Sequence, residues 1–147
     1  MSELWFYRLE GRTIADVLPQ LLEKSLERGW RTVVECGNPD AIPKLSQRLW
    51  CYRDEAFLAH GHEGEGAQQP IWLTAGPDNP NHAQARLYVE GAVPGDVSGL
   101  DRAMYIFEKS DETAIEAARE RWKLAKAEGL SVRYFIYADG KLAEQKG

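Results

Sequence analysis

Apolar side chains recur at helical spacing in three segments of the chain, which predicts three α-helices. The predicted helices span residues 13–28, 40–49 and 111–128. Thr13, Asp40 and Asp111 are the expected N-caps, and Gly29 and Gly129 are stop signals after the first and third helices. Pro19 lies inside the first pattern, so this helix is predicted either to kink or to begin late.

Short apolar segments between the helices predict β-strands. The predicted strands span residues 4–9, 31–36, 71–74, 86–90, 103–107 and 132–137. Their alternation with helices predicts an α/β fold with a largely parallel sheet and helices on its faces. Segments 59–69 and 75–84 are rich in Gly, Pro, Asn and His and are predicted to be surface loops, and Asp139-Gly140 predicts a turn.

Length, charge and cysteine content limit the class of protein. A chain of 147 residues predicts one domain, 1–147, and a formal net charge of −5 opposes direct binding of nucleic acid. No apolar run is long enough to span a bilayer, and the first residues lack the pattern of an export signal. Cys36 and Cys51 fit free thiols in a reducing cytosol, so we expect a cytoplasmic protein that does not bind membranes.

The loop after the second helix contains reactive residue types but no recognisable catalytic or metal motif. Segment 61–66 is Gly-His-Glu-Gly-Glu-Gly, which lacks the lysine of a phosphate-binding loop and carries two glutamates that would repel phosphate. His60, His62 and Cys51 do not have metal-ligand spacing, and a Cys51–His60 nucleophile pair would lack an orienting group. We therefore expect no catalytic residue, no metal and no cofactor.

Trp50 and Phe57 lie seven residues apart, where the second predicted helix ends. Large aromatic side chains are usually mostly buried, so one interpretation is that both rings complete the core. The other is that they anchor a protein interface, since aromatic residues near loops often do so. The pattern alone leaves both interpretations open.

The third predicted helix carries a cationic stripe beside a tryptophan. At about 100° per residue, Arg119, Lys123 and Lys126 fall in one narrow sector, with Trp122 between this sector and the apolar side. Such a surface could hold a peptide that combines an aromatic end with acidic residues. The alternative is a solvated basic face whose cations pair with neighbouring glutamates; these are Glu116, Glu120 and Glu128.

An ordered set of short motifs resembles a known family over nearly the whole chain. The motifs are Phe6-Tyr7, Gly29-Trp30-Arg31, Leu49-Trp50, Phe57-Leu58-Ala59-His60, Gln69-Pro70-Ile71 and Ala118-Arg119-Glu120-Arg121-Trp122-Lys123. Together they resemble the chi subunit of bacterial DNA polymerase III, an accessory protein of the clamp-loader complex. The resemblance implies a Rossmann-like α/β fold that has no nucleotide site and no enzymatic activity.

The resemblance also implies two partners. Trp50 and Phe57 match the surface that faces the psi subunit of the clamp loader, a surface also implicated in binding an accessory iron–sulfur helicase. Arg119, Trp122 and Lys123 match the helix that binds the acidic C-terminal tail of single-stranded DNA-binding protein, which ends in an apolar dipeptide containing phenylalanine. The expected role is therefore an adaptor between these partners.

Two positions depart from the family pattern. The family commonly has proline where this chain has Ala59, and a further lysine where it has Ile115. The second departure weakens the expected electrostatic capture of the tail unless Lys126 or Arg133 substitutes. The competing functional class is a small Rossmann-like hydrolase or transferase, which needs convergent polar residues at the strand ends that the sequence does not reveal.

Overall fold

The protein folds as one α/β domain in the computed structural model, which describes residues 2–50, 60–61, 66, 69–138 and 141–145. The helices are α1 (Ile14–Glu27), α2 (Ile42–Trp50) and α3 (Glu112–Ala127). The strands are β1 (Glu3–Glu10), β2 (Thr32–Cys36), β3 (His60–Gly61), β4 (Ile71–Thr74), β5 (Ala85–Val89), β6 (Arg102–Glu108), β7 (Ser131–Ala138) and β8 (Lys141–Gln145). The three predicted helices and the six predicted strands are all present, with ends within two residues of those expected.

One sheet runs through the molecule in the order β3-β4-β2-β5-β6-β1-β7-β8. Neighbouring strands are parallel except β7 and β8, which are antiparallel. The predicted, largely parallel sheet is therefore confirmed. At its centre β1 lies between β6 and β7, so that Phe6 stands beside Tyr105 on one side and Tyr134 on the other.

The two faces of the sheet carry different helices. Trp5, Tyr7 and Leu9 pack with α1 and α2 on one face, whereas Leu4 and Phe6 pack with α3 on the other. Successive side chains of a strand point to opposite faces, so Arg8, two residues after Phe6, also lies on the α3 face. This alternation places a cation of β1 on the same side of the sheet as α3.

The start of α1 corrects one expectation. The helix begins at Ile14 and includes Pro19, so it does not begin late. A proline has no N–H to give to the carbonyl four residues earlier, here that of Ala15. Arg48 of α2 replaces this donor, since its Nε lies 3.4 Å from the Ala15 oxygen while Nη2 lies 3.4 Å from Asp16.

Three further local expectations differ from the structure. Asp40 is not the N-cap of α2: Asn38 caps a 3-10 helix, Pro39–Ala41, that precedes α2 and contains Asp40. The predicted loop 59–69 contributes the short edge strand β3, and in the predicted loop 75–84 Asn81 is buried. Strand β8 was not predicted, and the turn expected at Asp139-Gly140 lies outside the described residues.

Both long helices end as glycine placement predicts. Gly29 and Gly129 have φ values of +79° and +78°, a conformation that L-residues with a Cβ atom rarely adopt. The N–H groups of Trp30 and Leu130 bond back to the carbonyls of Ser25 and Ala125, which satisfies carbonyl groups in the last turn. These ends fix the length of α3 and hence the side chains that it presents.

Candidate functional site

Small side chains bring α3 close to the sheet. Ala114, Ala118 and Ala125 are buried along one edge of the helix, and the Asp111 side chain accepts the Ala114 N–H to cap its start. Trp122 lies half-buried at the border of this edge. Its ring meets Phe6 and Tyr134 edge-on, with centroids 5.3 and 5.9 Å apart.

Beside Trp122 is a pocket of about 370 Å³ between α3 and three strands. It is lined by Arg8, Ile115, Ala118, Arg119, Trp122, Lys123, Tyr134 and Gln145. Three of the four side chains predicted on α3, namely Arg119, Trp122 and Lys123, therefore come together at one concave site. An apolar interior with cations at its edge can bind an apolar or aromatic group attached to an anion.

The cations from α3 at this pocket are exposed and weakly paired. The Nζ atom of Lys123 lies 3.8 Å from Glu120 Oε1, with both side chains about three-quarters exposed. Such an exposed pair contributes little and leaves Lys123 open to another anion. Arg119 forms no ion pair with the described residues, and Glu128, one of the expected partners of the stripe, bonds to Arg121. The alternative of a fully paired basic face therefore fits Lys123 only in part and does not fit Arg119.

Lys126, the fourth predicted cation, does not line the pocket. Its Nζ lies 5.2 Å from the centre of the Trp122 ring, a cation–π contact outside the cavity. Arg133, named above as a substitute for the missing family lysine, lies on the opposite face of the sheet. There it stacks near Trp5 and forms two 2.8 Å hydrogen bonds to Glu144.

The sequence analysis missed three residues that line the pocket, namely Arg8, Tyr134 and Gln145. They come from β1, β7 and β8, and only the order of strands in the sheet places them beside α3. Burial raises the pKa of the Tyr134 hydroxyl, while the neighbouring Arg8 and Arg119 charges oppose that rise. The alternation along β1 was the one signal in the sequence, because it puts Arg8 on the face of Phe6.

Arg121 belongs to the run of motif residues on α3 but faces away from the pocket lined by Arg119 and Trp122. Its side chain is buried, and its Nε and Nη2 atoms donate to the carbonyls of Pro94 and Gly95 at 2.8 and 2.9 Å. A third bond, of 3.1 Å, joins Nη1 to Glu128. Arg121 therefore holds the segment before β6 against α3 and is not available to a ligand.

Comparison with known proteins identifies the family. Residues 1–133 match the family model described as "DNA polymerase III chi subunit, HolC". The chain belongs to the DNA polymerase III chi subunit family. It is 29% identical to the DNA polymerase III subunit chi of Pseudomonas aeruginosa over 115 residues, covering 78% of this chain and 80% of that protein. It is 24% identical to the probable DNA polymerase III subunit chi of Rickettsia prowazekii over 102 residues, covering 68% and 60%.

Membership in the chi family makes this chain an accessory subunit of the replication machinery. The matched range includes all of α3 and β1, and it ends one residue before Tyr134. Two pocket residues, Tyr134 and Gln145, thus lie beyond the part of the chain that the family model covers. Their position at the pocket is known from the structure of this chain and not from the family match.

The second surface expected of a chi subunit lies around Trp50 and Phe57, after α2. Trp50 is the last residue of α2, which packs on the face of the sheet opposite α3. The Trp50 side chain, Phe57 and Ala59 lie outside the described residues. Their role as a psi-binding surface therefore stays a prediction.

A polar crevice of about 680 Å³ lies at the carboxyl ends of β1 and β6. The chain leaves β1 toward α1 on one face and leaves β6 toward α3 on the other, which is where open α/β sheets commonly bind ligands. The sequence analysis did not find this set of side chains, which includes Glu10, Arg12, Thr13, Glu108, Lys109 and Ser110.

Carboxylates of the protein itself already bond to N–H groups at the start of α1, which borders this crevice. Glu108 Oε2 lies 3.1 Å from the Ile14 N–H, and Asp16 and Thr13 form a capping box at the same helix end. A helix N-terminus is the usual place for a phosphate in this fold, but here it faces two carboxylates. Bonding to Thr13 lowers the pKa of Asp16, which keeps that carboxylate charged. This arrangement opposes phosphate binding at the crevice.

The described part of the chain lacks two other kinds of site. No group of three or more His, Cys, Asp or Glu residues within it is placed to hold a metal ion. No helix within it combines the length and the apolar character needed to cross a bilayer. The α3 pocket is the candidate functional site of the described residues.

Proposed function

We propose that this chi family member is a non-catalytic adaptor that works in the cytoplasm. One surface, the α3 pocket, binds the acidic C-terminal tail of single-stranded DNA-binding protein. The other, around Trp50 and Phe57, binds the psi subunit and thereby the clamp loader. The observation that carries the proposal is the pocket itself, in which Trp122 and Tyr134 border the same cavity as Arg119 and Lys123.

The chemistry of the pocket fits the chemistry of such a tail. The rings of Trp122 and Tyr134 with Ile115 give an apolar surface for a phenylalanine side chain. Arg119 can bind a carboxylate in bidentate fashion, and Lys123 adds a second positive charge. Although the whole protein is acidic, charges more than about 8–10 Å away are largely screened at physiological salt, so the local cations decide the sign of the field.

The placement of the helices supports simultaneous binding of two partners. The third helix covers one face of the sheet, and α2, which leads to Trp50, covers the other. Partners bound at these two surfaces would be separated by the sheet and would not compete for space. The proposal for psi, and for an accessory iron–sulfur helicase at the same surface, rests on the family resemblance of Trp50 and Phe57.

Titration of a labelled tail peptide tests the first half of the proposal. Arg119→Ala should weaken binding by about 1.5–3 kcal/mol, or roughly 10- to 150-fold, because it removes the donor to a carboxylate. Arg119→Lys should recover only part of the loss, since lysine cannot bind in bidentate fashion. Lys24→Ala on α1 removes one positive charge from the opposite face and is the matched control. Equal affinities for wild type and Arg119→Ala would contradict the proposal.

Co-purification tests the second half. Tagged protein should recover both single-stranded DNA-binding protein and a small clamp-loader protein from cell extract of the source organism. Phe57→Ala should remove the clamp-loader protein and keep the single-stranded DNA-binding protein, while Arg119→Ala should do the reverse. Loss of both partners in either variant would argue against two independent surfaces.

Thermal melts test the absence of a nucleotide or metal function. A ligand that binds only the folded protein adds about 2.7 kcal/mol to its stability at a hundred times its dissociation constant. We expect melts with ATP, NAD, S-adenosylmethionine, zinc or magnesium to overlay the melt in buffer. A reproducible rise that disappears on changing Thr13 or Glu108 in the crevice would favour the enzyme class instead.

A further inference from the structure

Among the described residues that line the pocket, Arg119 and Lys123 are the cations that α3 supplies. Ile115 lies one helical turn before Arg119, lines the cavity and packs against the core. Lys126 lies outside the cavity and Arg133 on the other face of the sheet, as described above. A further cation for the pocket must therefore come from another element.

Arg8 lies at the pocket because α3 crosses the sheet in the direction opposite to β1. The helix starts after the carboxyl end of β6 and finishes before the amino end of β7. Trp122 contacts Phe6, and a step of two strand residues, roughly 6–7 Å, leads from Phe6 to Arg8. A similar distance of about 6 Å, roughly one helical turn, leads back along α3 from Trp122 to Ala118, the neighbour of Arg119. The two paths bring Arg8 beside the turn that contains Ile115 and Arg119.

The Arg8 guanidinium borders the cavity beside Glu10 and Tyr134. One nitrogen, Nη2, bonds to Glu10 Oε2 at 3.0 Å, while Nε is buried and has no hydrogen-bond partner among the described residues. The Arg8 side chain is 28% exposed, and its guanidinium carbon lies 6.0 Å from the centre of the Tyr134 ring. Arg8 and Arg119 line the same cavity as Tyr134, so the two positive charges border one space.

We propose that Arg8 is a second carboxylate-binding residue of the α3 pocket. It binds one carboxylate of an acidic peptide from the sheet side, while Arg119 binds another from the helix side. The proposal rests on the proposed function, because it assumes that an acidic tail with an aromatic end occupies this pocket. It goes further in assigning a role to β1 and in requiring two separated carboxylates in the ligand.

Glu10 sets the availability of Arg8 in the absence of ligand. Its two carboxylate oxygens lie 3.0 Å from Arg8 Nη2 and 3.6 Å from Lys109 Nζ. A peptide carboxylate therefore competes with Glu10 for part of the Arg8 guanidinium. Removing the Glu10 charge should therefore strengthen peptide binding. Damage to the fold would weaken binding, so a gain in affinity cannot be explained by misfolding.

The test measures the affinity of a fluorescent acidic peptide with a C-terminal phenylalanine for four variants of the full chain. Arg8→Leu should weaken binding on the order of tenfold, since it removes a charge-assisted hydrogen bond. Glu10→Gln should strengthen binding by a few-fold. Arg119→Ala reports on the proposed function, and Arg48→Leu removes an arginine with one carboxylate partner from the opposite face as the matched control.

Each outcome separates the two claims. Weaker binding by Arg8→Leu, together with tighter binding by Glu10→Gln and no change in Arg48→Leu, supports the assignment. If Arg119→Ala weakens binding but Arg8→Leu and Glu10→Gln match wild type, the role of Arg8 is wrong and the proposed function stands. If wild type does not bind the peptide, both are wrong.

Discussion

Two arginines that are two positions apart on α3 have opposite surroundings. Arg119 is exposed at the pocket, whereas Arg121 is buried against the carbonyls of Pro94 and Gly95. Two residues along a helix are separated by about 200°, so the side chains point to nearly opposite sides. Arg121 falls between Ala118 and Ala125 on the buried edge, and the helical wheel alone could have revealed this.

This difference predicts reciprocal effects of the two alanine variants. Arg121→Ala leaves buried carbonyl groups without donors and should lower the free energy of unfolding by about 1–3 kcal/mol. Its folded fraction should bind tail peptide like wild type. Arg119→Ala should leave the free energy of unfolding within about 0.5 kcal/mol of wild type, because the residue is exposed. The same variant should bind the tail peptide more weakly. Denaturant titration and peptide binding on the same samples measure both, and a peptide defect as large in Arg121→Ala as in Arg119→Ala would contradict the assignment.

The thiol of Cys36 is predicted to be unreactive in the folded protein. It is fully buried at the end of β2, and burial, with Glu90 and Glu35 nearby, raises its pKa to about 12. Thiol reagents attack the thiolate, which is scarce at pH 8 for such a group. In a Cys51→Ser variant, which has one thiol, a disulfide reagent at pH 8 should react only after denaturant is added. Reaction of the native variant at the rate of a free thiol would contradict this burial.

At the scale of elements, local sequence signals predict the helices and central strands well. Thr13 and Asp111 cap α1 and α3 as expected, and Gly29 and Gly129 end them. Pro19 left a late start of α1 open, and the structure excludes it: the donor that Ala15 lacks comes from Arg48, a residue 33 positions away in sequence. Such long-range compensation has no local signature.

Local sequence signals likewise predict only the α3 side of the pocket. Helical spacing places Arg119, Trp122 and Lys123 together on α3, and the family resemblance selected them as a peptide-binding set. The opposite wall depends on β1 pairing with β7 and on β7 pairing with β8, and these are contacts between segments far apart in the chain. Arg8 was visible only as a residue on one face of a strand, and nothing local said which helix would cover that face.

Close packing at the end of β2 gives a prediction for a single element. A Cβ atom on Gly37 would lie 2.5 Å from backbone atoms of Gly91 and Ala92. Gly37→Ala should therefore lower the free energy of unfolding by about 1–3 kcal/mol, because backbone atoms must move. Gly99→Ala, where a Cβ meets nothing within 4 Å, is the matched control and should change stability little. Similar unfolding curves for the two variants would contradict the predicted contact between β2 and segment 90–92.

At the scale of the whole molecule, charge and layer arrangement define how the protein can act. The net charge of −5 disfavours general attraction to nucleic acid, while cations from β1 and α3 gather at one pocket. The sheet separates this pocket from α2 and Trp50. This layout supports the proposal that the domain binds two protein partners at once.

The affinity for an acidic tail should therefore depend on salt. Screening weakens attraction between exposed charges, and the Debye length falls from about 10 Å at 0.1 M salt to about 3 Å at 1 M. We expect peptide affinity to fall steadily as sodium chloride rises, and to fall less steeply in Arg119→Ala than in wild type. An affinity independent of salt would mean that apolar contact alone holds the peptide.

The most direct test of the central claim is a map of backbone amide chemical shifts during titration with the tail peptide. The account predicts that the largest changes fall on residues 115–123 of α3, with further changes at Arg8, Tyr134 and Gln145, and that Arg119→Ala makes them much smaller at the same peptide concentration. Changes that concentrate in α1 or α2 and leave α3 unaffected would contradict the account.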